Sequence, residues 1–192
     1  TFGTVSTSGV YPFASSLDTI GPIAKTTRDL SLIYSEIRQE VDVKPTGSET
    51  AAWSGTPRIG RLRGMFDLNA DDRIRLALDR AMREWSEAGA VCMDIDLPDA
   101  IERNRRSHRI VMASQAARVH QARFKTNRRE YPPKLVEIID EGAAVLAVDY
   151  IESSVDQSEA STTYRGLFDT QALQVLATPA AVGPAPDPST TG

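Results

Sequence analysis

Cysteine is all but missing from this sequence. Among 192 residues only Cys92 carries a thiol, so no disulfide can close within the chain. A reducing, cytoplasmic setting is the matching expectation. Histidine is nearly as scarce, with only His108 and His120 present. They stand about three helical turns apart, too far to share a metal from one helix. No cysteine or carboxylate set completes such a site, so no metal and no cofactor is expected. Positive charge is not in surplus: the formal net charge is −4, which excludes a global attraction to nucleic acid or to an anionic membrane. No apolar run approaches the roughly 20 residues of a membrane-spanning helix.

What is there reads as a folded domain. Hydrophobic residues make up 41% and charged residues 25% of the chain, which separates it from disordered sequences, and its length suffices for one substantial core. The densest pattern is the opening, TFGTVSTSGVYPFASSLDTIGPIAKTTRD, residues 1–29. Gly3, Gly9, Pro12, Gly21 and Pro22 set turns in it. Val5, Val10, Tyr11, Phe13, Leu17, Ile20 and Ile23 recur between them and demand burial. A loop with so many apolar anchors is expected to pack on a scaffold. Asp18 is suited to accept loop N–H groups and hold a turn, and Arg28 and Asp29 to anchor the junction with the next helix. Ser16, Asp18, Thr19 and Arg28 are together expected to support the loop.

Downstream, Thr26 is a suitable N-cap for a helix whose apolar stripe is Leu30, Ile33, Tyr34 and Ile37, ending near Gln39. The polar stretch 42–57 reads as a connecting loop. Residues 58–63 (RIGRLR) form a short strand candidate anchored by Ile59 and Leu62. Asn69 is the expected cap of the next helix, with Ile74, Leu78, Ala81, Met82, Trp85 and Ala88 inward and Gly89 just past its end. Residues 90–97 alternate apolar and polar, which predicts a half-buried strand. Strand, helix and strand in this order predict a right-handed βαβ unit with parallel strands. A long helix is expected over 100–126, with Ile101, His108, Val111, Met112, Ala116, Val119 and Ala122 on its buried face. A helix stopped by Gly142 follows, then one over about 149–168, a short strand at 173–177 and a proline-rich tail.

Candidate chemistry is sparse. Ser15 and Ser16 lie in no G-x-S-x-G elbow, and no Ser-x-x-Lys occurs in the opening stretch. A serine nucleophile needs a base within reach and donors for the oxyanion, and these residues do not assemble that set. Cys92 has no activating neighbour in sequence and reads as a packed side chain. The arginines from Arg103 to Arg109 lack interleaved aromatics and read as a solvated face rather than an RNA-binding strip.

The opening also carries a family likeness. FG-x-V-S-x-x-G-V-x-P-x-A-x-SLD-x-x-GP-x-A-x-T-x-x-D is matched from Phe2 and Gly3 through Ser16, Leu17 and Asp18 to Thr26 and Asp29. It resembles the segment of amidase-signature hydrolases that follows the nucleophilic serine. PRIGRLRGMFD, GAVCMDIDLP and QVLATPAAVGP resemble the middle and late segments of that family, although Gln174 stands where the family usually has aspartate. The resemblance implies hydrolysis of carboxylic amides through a Ser–cis-Ser–Lys triad. All three triad residues would precede the segment matched here, so none is assigned to a position in this chain. The family's amidotransferase A subunits, which release ammonia for tRNA-dependent amidation, usually carry arginines near the equivalent of PPKLVEIIDEG. Here that stretch offers Lys134 and Glu137 instead.

These readings define the expectations. The fold is α/β, an incomplete mixed sheet flanked by helices. It forms a partial single amidase domain: loop and helix at 1–41, βαβ unit at 58–97, helical region at 98–170, strand and extended tail at 171–192. Both ends read as cut from a longer protein. The chain is expected to be inactive alone, with a small-molecule amide as the parent's substrate, no nucleic acid or membrane partner, and a homodimer compatible. A non-catalytic α/β interaction domain is the reading from another class.

Overall fold

A computed structural model describes residues 3–38 and 55–185. The expected end of the first helix near Gln39 and most of the 42–57 loop lie outside the described residues. The elements are α1 (Thr27–Ile37), β1 (Arg58–Leu62), α2 (Met65–Asn69), α3 (Asp72–Glu87), β2 (Val91–Ile95), α4 (Asp99–Asn127), α5 (Pro133–Ala144), α6 (Ala147–Thr170) and β3 (Val175–Ala177). The chain forms two compact units, one drawn from Thr1–Ala52 and Arg106–Val155, the other from Trp53–Arg105 and Asp156–Gly192.

The second unit holds the sheet, in the order β2-β1-β3. β1 pairs parallel with both neighbours, Arg58 opposite Val91 and Ile59 opposite Val175. The parallel strand–helix–strand arrangement is as expected, while the described sheet is wholly parallel where a mixed one is expected, because β3 also enters beside β1 in the same direction. The side chains of β1 alternate between two buried layers. On one face Leu62 meets Ile95 and Leu173, with Tyr164 and Leu167 of α6 against them. Gly60 lies on this face because Ile95, Leu173 and Leu176 crowd the place a Cβ would take. The other face of β1 is mixed, with a buried Ile59 beside a buried charge. Arg61 is buried there and donates to Asp67 of α2, at 2.8 Å, and to Asp79 of α3.

Asn69 does not cap a helix from outside. It is the last residue of α2, and its Nδ2 donates back to the Met65 carbonyl at 2.7 Å. Asp71 caps α3 instead, accepting from Ile74 N–H at 2.9 Å. α2 itself, unforeseen in the sequence, starts after Gly64, whose φ of 74° suits a residue without Cβ. Gly89, with φ of 99°, ends α3 as expected. The stripe of α3 is half-buried at Ile74, Leu78, Ala81 and Met82, but Trp85 and Ala88 are exposed.

In the first unit α1 starts at its expected cap: Thr26 Oγ1 accepts from Asp29 N–H at 3.1 Å. Its apolar stripe is not buried, however, and Ile33, Tyr34 and Ile37 are all exposed. The buried face of α4 also differs from expectation. Ser107, Val111, Ala116 and His120 are buried, while His108 and Ala122 are exposed. Residues twelve apart differ by about 120° around a helix, so the two histidines cannot share a face. Gly142 does not stop α5, which continues to Ala144. It lies instead where α5 meets the backbone of Ala113, and a methyl group there would overlap the Ala113 carbonyl.

Two glycine substitutions separate these effects. Gly142→Ala is expected to destabilise the chain by about 3 kcal/mol, since the clash is with backbone. Gly166→Ala, inside α6 with open space around it, is expected to stabilise by about 0.5–1 kcal/mol. Urea denaturation of both variants beside the parent chain checks the pair.

Candidate functional site

The opening loop is built by one carboxylate. The backbone turns at Ala14, whose carbonyl accepts from Leu17 N–H at 2.7 Å and Asp18 N–H at 2.9 Å. The chain then folds back so that the Asp18 side chain accepts from Phe13 N–H at 2.9 Å and from Ala14 N–H at 3.1 Å. Such an acceptor satisfies donors that a loop cannot pair in a ladder. Ala14 is buried beneath the turn.

Gln115 of α4 holds the same turn from the scaffold. Its Oε1 accepts from Ser16 N–H at 2.9 Å, and its Nε2 donates to Ser16 Oγ at 2.6 Å and to Tyr150 Oη at 3.0 Å. Thus Ser16 and Asp18 lie in one hydrogen-bonded turn. Thr19 and Arg28 do not join it: both are exposed, and their side chains make no hydrogen bond or ion pair among the described residues. Gln115 and Tyr150 were missed in the sequence, where only their helical position was readable. None of the loop's apolar anchors is fully buried: Val5, Phe13, Leu17 and Ile20 are half-buried. Val10, Tyr11 and Ile23 are exposed, Ile23 at 96%.

Next to this turn the loop touches His120. Its ring lies 5.5 Å from the Tyr11 ring, 6.2 Å from Phe13 and 5.5 Å from Tyr131, centroid to centroid. Nδ1 is 3.1 Å from Tyr131 Oη. Burial pushes the His120 pKa below its ordinary value, and the nearby Arg123 charge adds to the shift. His120 therefore belongs to an aromatic packing cluster.

The polar cleft beside β1, about 300 Å³, is lined by Arg61, Arg63, Arg75, Asp67, Asp72 and Asp79. Its charges are spent on one another. Arg63 Nε lies 3.0 Å from Asp67 Oδ2, and Arg75 pairs with Asp72 and donates to the Ala70 carbonyl at 2.8 Å. Hydrogen bonding from Arg61 holds the Asp79 carboxyl below the usual range. Among the described residues no three His, Cys, Asp or Glu side chains gather to hold a metal, and no helix is long and apolar enough to cross a membrane.

A family model, Amidase, matches residues 1–191. The chain belongs to the Amidase family. It is 31% identical over 107 residues to the A subunit of glutamyl-tRNA(Gln) amidotransferase from Koribacter versatilis (strain Ellin345), covering 51% of this chain and 22% of that protein. It is 29% identical over 146 residues to the AtzE subunit of 1-carboxybiuret hydrolase from Pseudomonas sp. (strain ADP), covering 71% and 31%. The chain thus spans only 22% to 31% of these family members. Among solved structures, an amidase superposes with TM-score 0.84 at 20% identity, over 98% of this chain and 41% of that one, a likeness of fold. A protein from a vestigial complex linked to the origins of an s-triazine catabolic enzyme superposes with TM-score 0.82 at 26% identity, over 99% and 42%.

Two expectations follow from the loop. Asp18→Ala strands the Phe13 and Ala14 N–H groups and is expected to cost about 1–3 kcal/mol of stability; Asp18→Asn, which keeps an acceptor oxygen, is expected to cost less in the same denaturation assay. His120 gives the second. Its folded pKa lies below the unfolded value, so the native state binds fewer protons, and its stabilising effect is full above about pH 6.5 and lost as pH falls toward the folded value. The arginine-paired carboxylates Asp79, Asp140 and Glu141 are held below the usual carboxylate range and stay charged in this window. The denaturation midpoint is expected to drop from about pH 7.5 to 5.5, and His120→Phe to flatten that drop.

Proposed function

We propose that this chain is the part of an amide hydrolase that follows its nucleophilic serine. The whole cytoplasmic enzyme would cleave small carboxylic amides to acid and ammonia or amine. Serine attacks the carbonyl, lysine takes the proton through the bridging serine, and the leaving nitrogen is protonated as the acyl-enzyme forms; water then releases the acid. The observation that carries this reading is the family match along 1–191, to which the motif-bearing opening loop belongs. In this reading Ser16 and Asp18 brace the wall behind the nucleophile from within the chain. Thr19 and Arg28 support that wall through groups outside it. The triad lies on other sequence.

The amidotransferase reading is favoured by the names of several relatives. It gains nothing from α5, which has Lys134 and Glu137 but no arginine. We therefore keep it second to a stand-alone amidase.

Ammonia release from a panel of simple amides tests the proposal. The pure 192-residue chain is expected to give none above background, and the full parent to give turnover without added tRNA. Turnover by the isolated chain would sink the placement of the triad. A parent that lacks an upstream lysine and serine pair and shows no turnover would instead leave a non-catalytic interaction domain.

A further inference from the structure

β2 and β3 flank β1 on opposite sides in a parallel sheet. The winding direction therefore changes at β1, and in open parallel α/β sheets ligands bind outside the carboxyl ends of the strands at such a point. A cleft of about 270 Å³ opens there. Met65 and Phe66 line it directly after β1, and residues 179–182 directly after β3. The latter segment is held in place by Asp71 N–H, which donates to the Val182 carbonyl at 2.7 Å.

The wall is apolar except for Asn69 and Arg105. Asn69 commits its Nδ2 to the Met65 carbonyl, which leaves Oδ1 as an acceptor. Arg105 is exposed, and its side chain makes no hydrogen bond or ion pair among the described residues. Arg103 on the same helix is in contrast paired with Glu159 at 3.1 Å. A free guanidinium beside an apolar wall suits a planar carboxylate, which it can grip with two parallel N–H bonds.

We propose that this cleft binds a small monocarboxylate with an apolar body. The carboxylate pairs with Arg105, and the body lies against Met65, Phe66 and Pro179. The site lies wholly within the sheet-bearing unit and does not rest on the amide-hydrolase reading.

Calorimetric titration of the full chain with phenylacetate, and with the neutral phenylacetamide, tests the proposal. Phenylacetate is expected to bind saturably, and phenylacetamide about tenfold more weakly. Arg105→Gln is expected to bring phenylacetate down to the level of the amide, while Arg106→Gln, one residue on and outside the cleft, leaves it unchanged. Ala181→Phe fills the cleft and is expected to weaken both ligands by about tenfold or more. No saturable binding of phenylacetate, equal binding of acid and amide, or wild-type affinity in Arg105→Gln would each overturn the assignment.

Discussion

The sheet-bearing unit depends on a charge buried in its central strand. Arg61 sits in β1 with its side chain only 8% exposed, and such burial is costly unless the charge is paired. Asp67 and Asp79 supply the pairing from α2 and α3. Burial opposes the charged form of Arg61, yet the bonds to the two carboxylates carry its pKa above the ordinary value. The pairing is not complete, since Arg61 Nε is buried without a hydrogen-bond partner. The consequence is geometric. Both helices of the crossover between β1 and β2 are tied to the same guanidinium, so their positions relative to the sheet are coupled. On the other face of β1 the absence of a side chain at Gly60 lets Ile95, Leu173 and Leu176 close over the strand.

The opening loop solves a different problem with the same means. It has too few ladder partners for its backbone, so a side-chain acceptor takes their place. Asp18 serves donors within the loop, and Gln115 connects the loop to α4 and Tyr150. The aromatic contacts around His120 add apolar packing where the loop leaves the turn.

Much of this was legible in the residues alone. The cap at Thr26, the parallel strand–helix–strand unit and the end of α3 at Gly89 follow from local chemistry: a hydroxyl before an acidic first turn, alternation of period two, and a glycine that accepts positive φ. What went unread depended on contacts far along the chain. α2 hides in MFDLN because five residues carry no period. Asn69 resembles a cap in sequence, but its amide is already bonded to Met65, and the role falls to Asp71. The stripe of α1 has helical spacing, yet spacing reveals only that a face exists, not what covers it. Gln115 could have been picked out only by knowing that residue 16 lies beside it.

The family, and the order and type of most elements, were therefore written in the chain itself, because they rest on motif residues and on short-range periodicity. Which side chains go inside was settled only by packing. Arg61 is buried and His108 is not, and Gly142 marks a close approach of helices rather than a helix end. Burial is set by whichever segment arrives from elsewhere in the chain. A guanidinium goes inside only where carboxylates arrive to pair it, and an imidazole or a missing methyl group only where the arriving segment fits it.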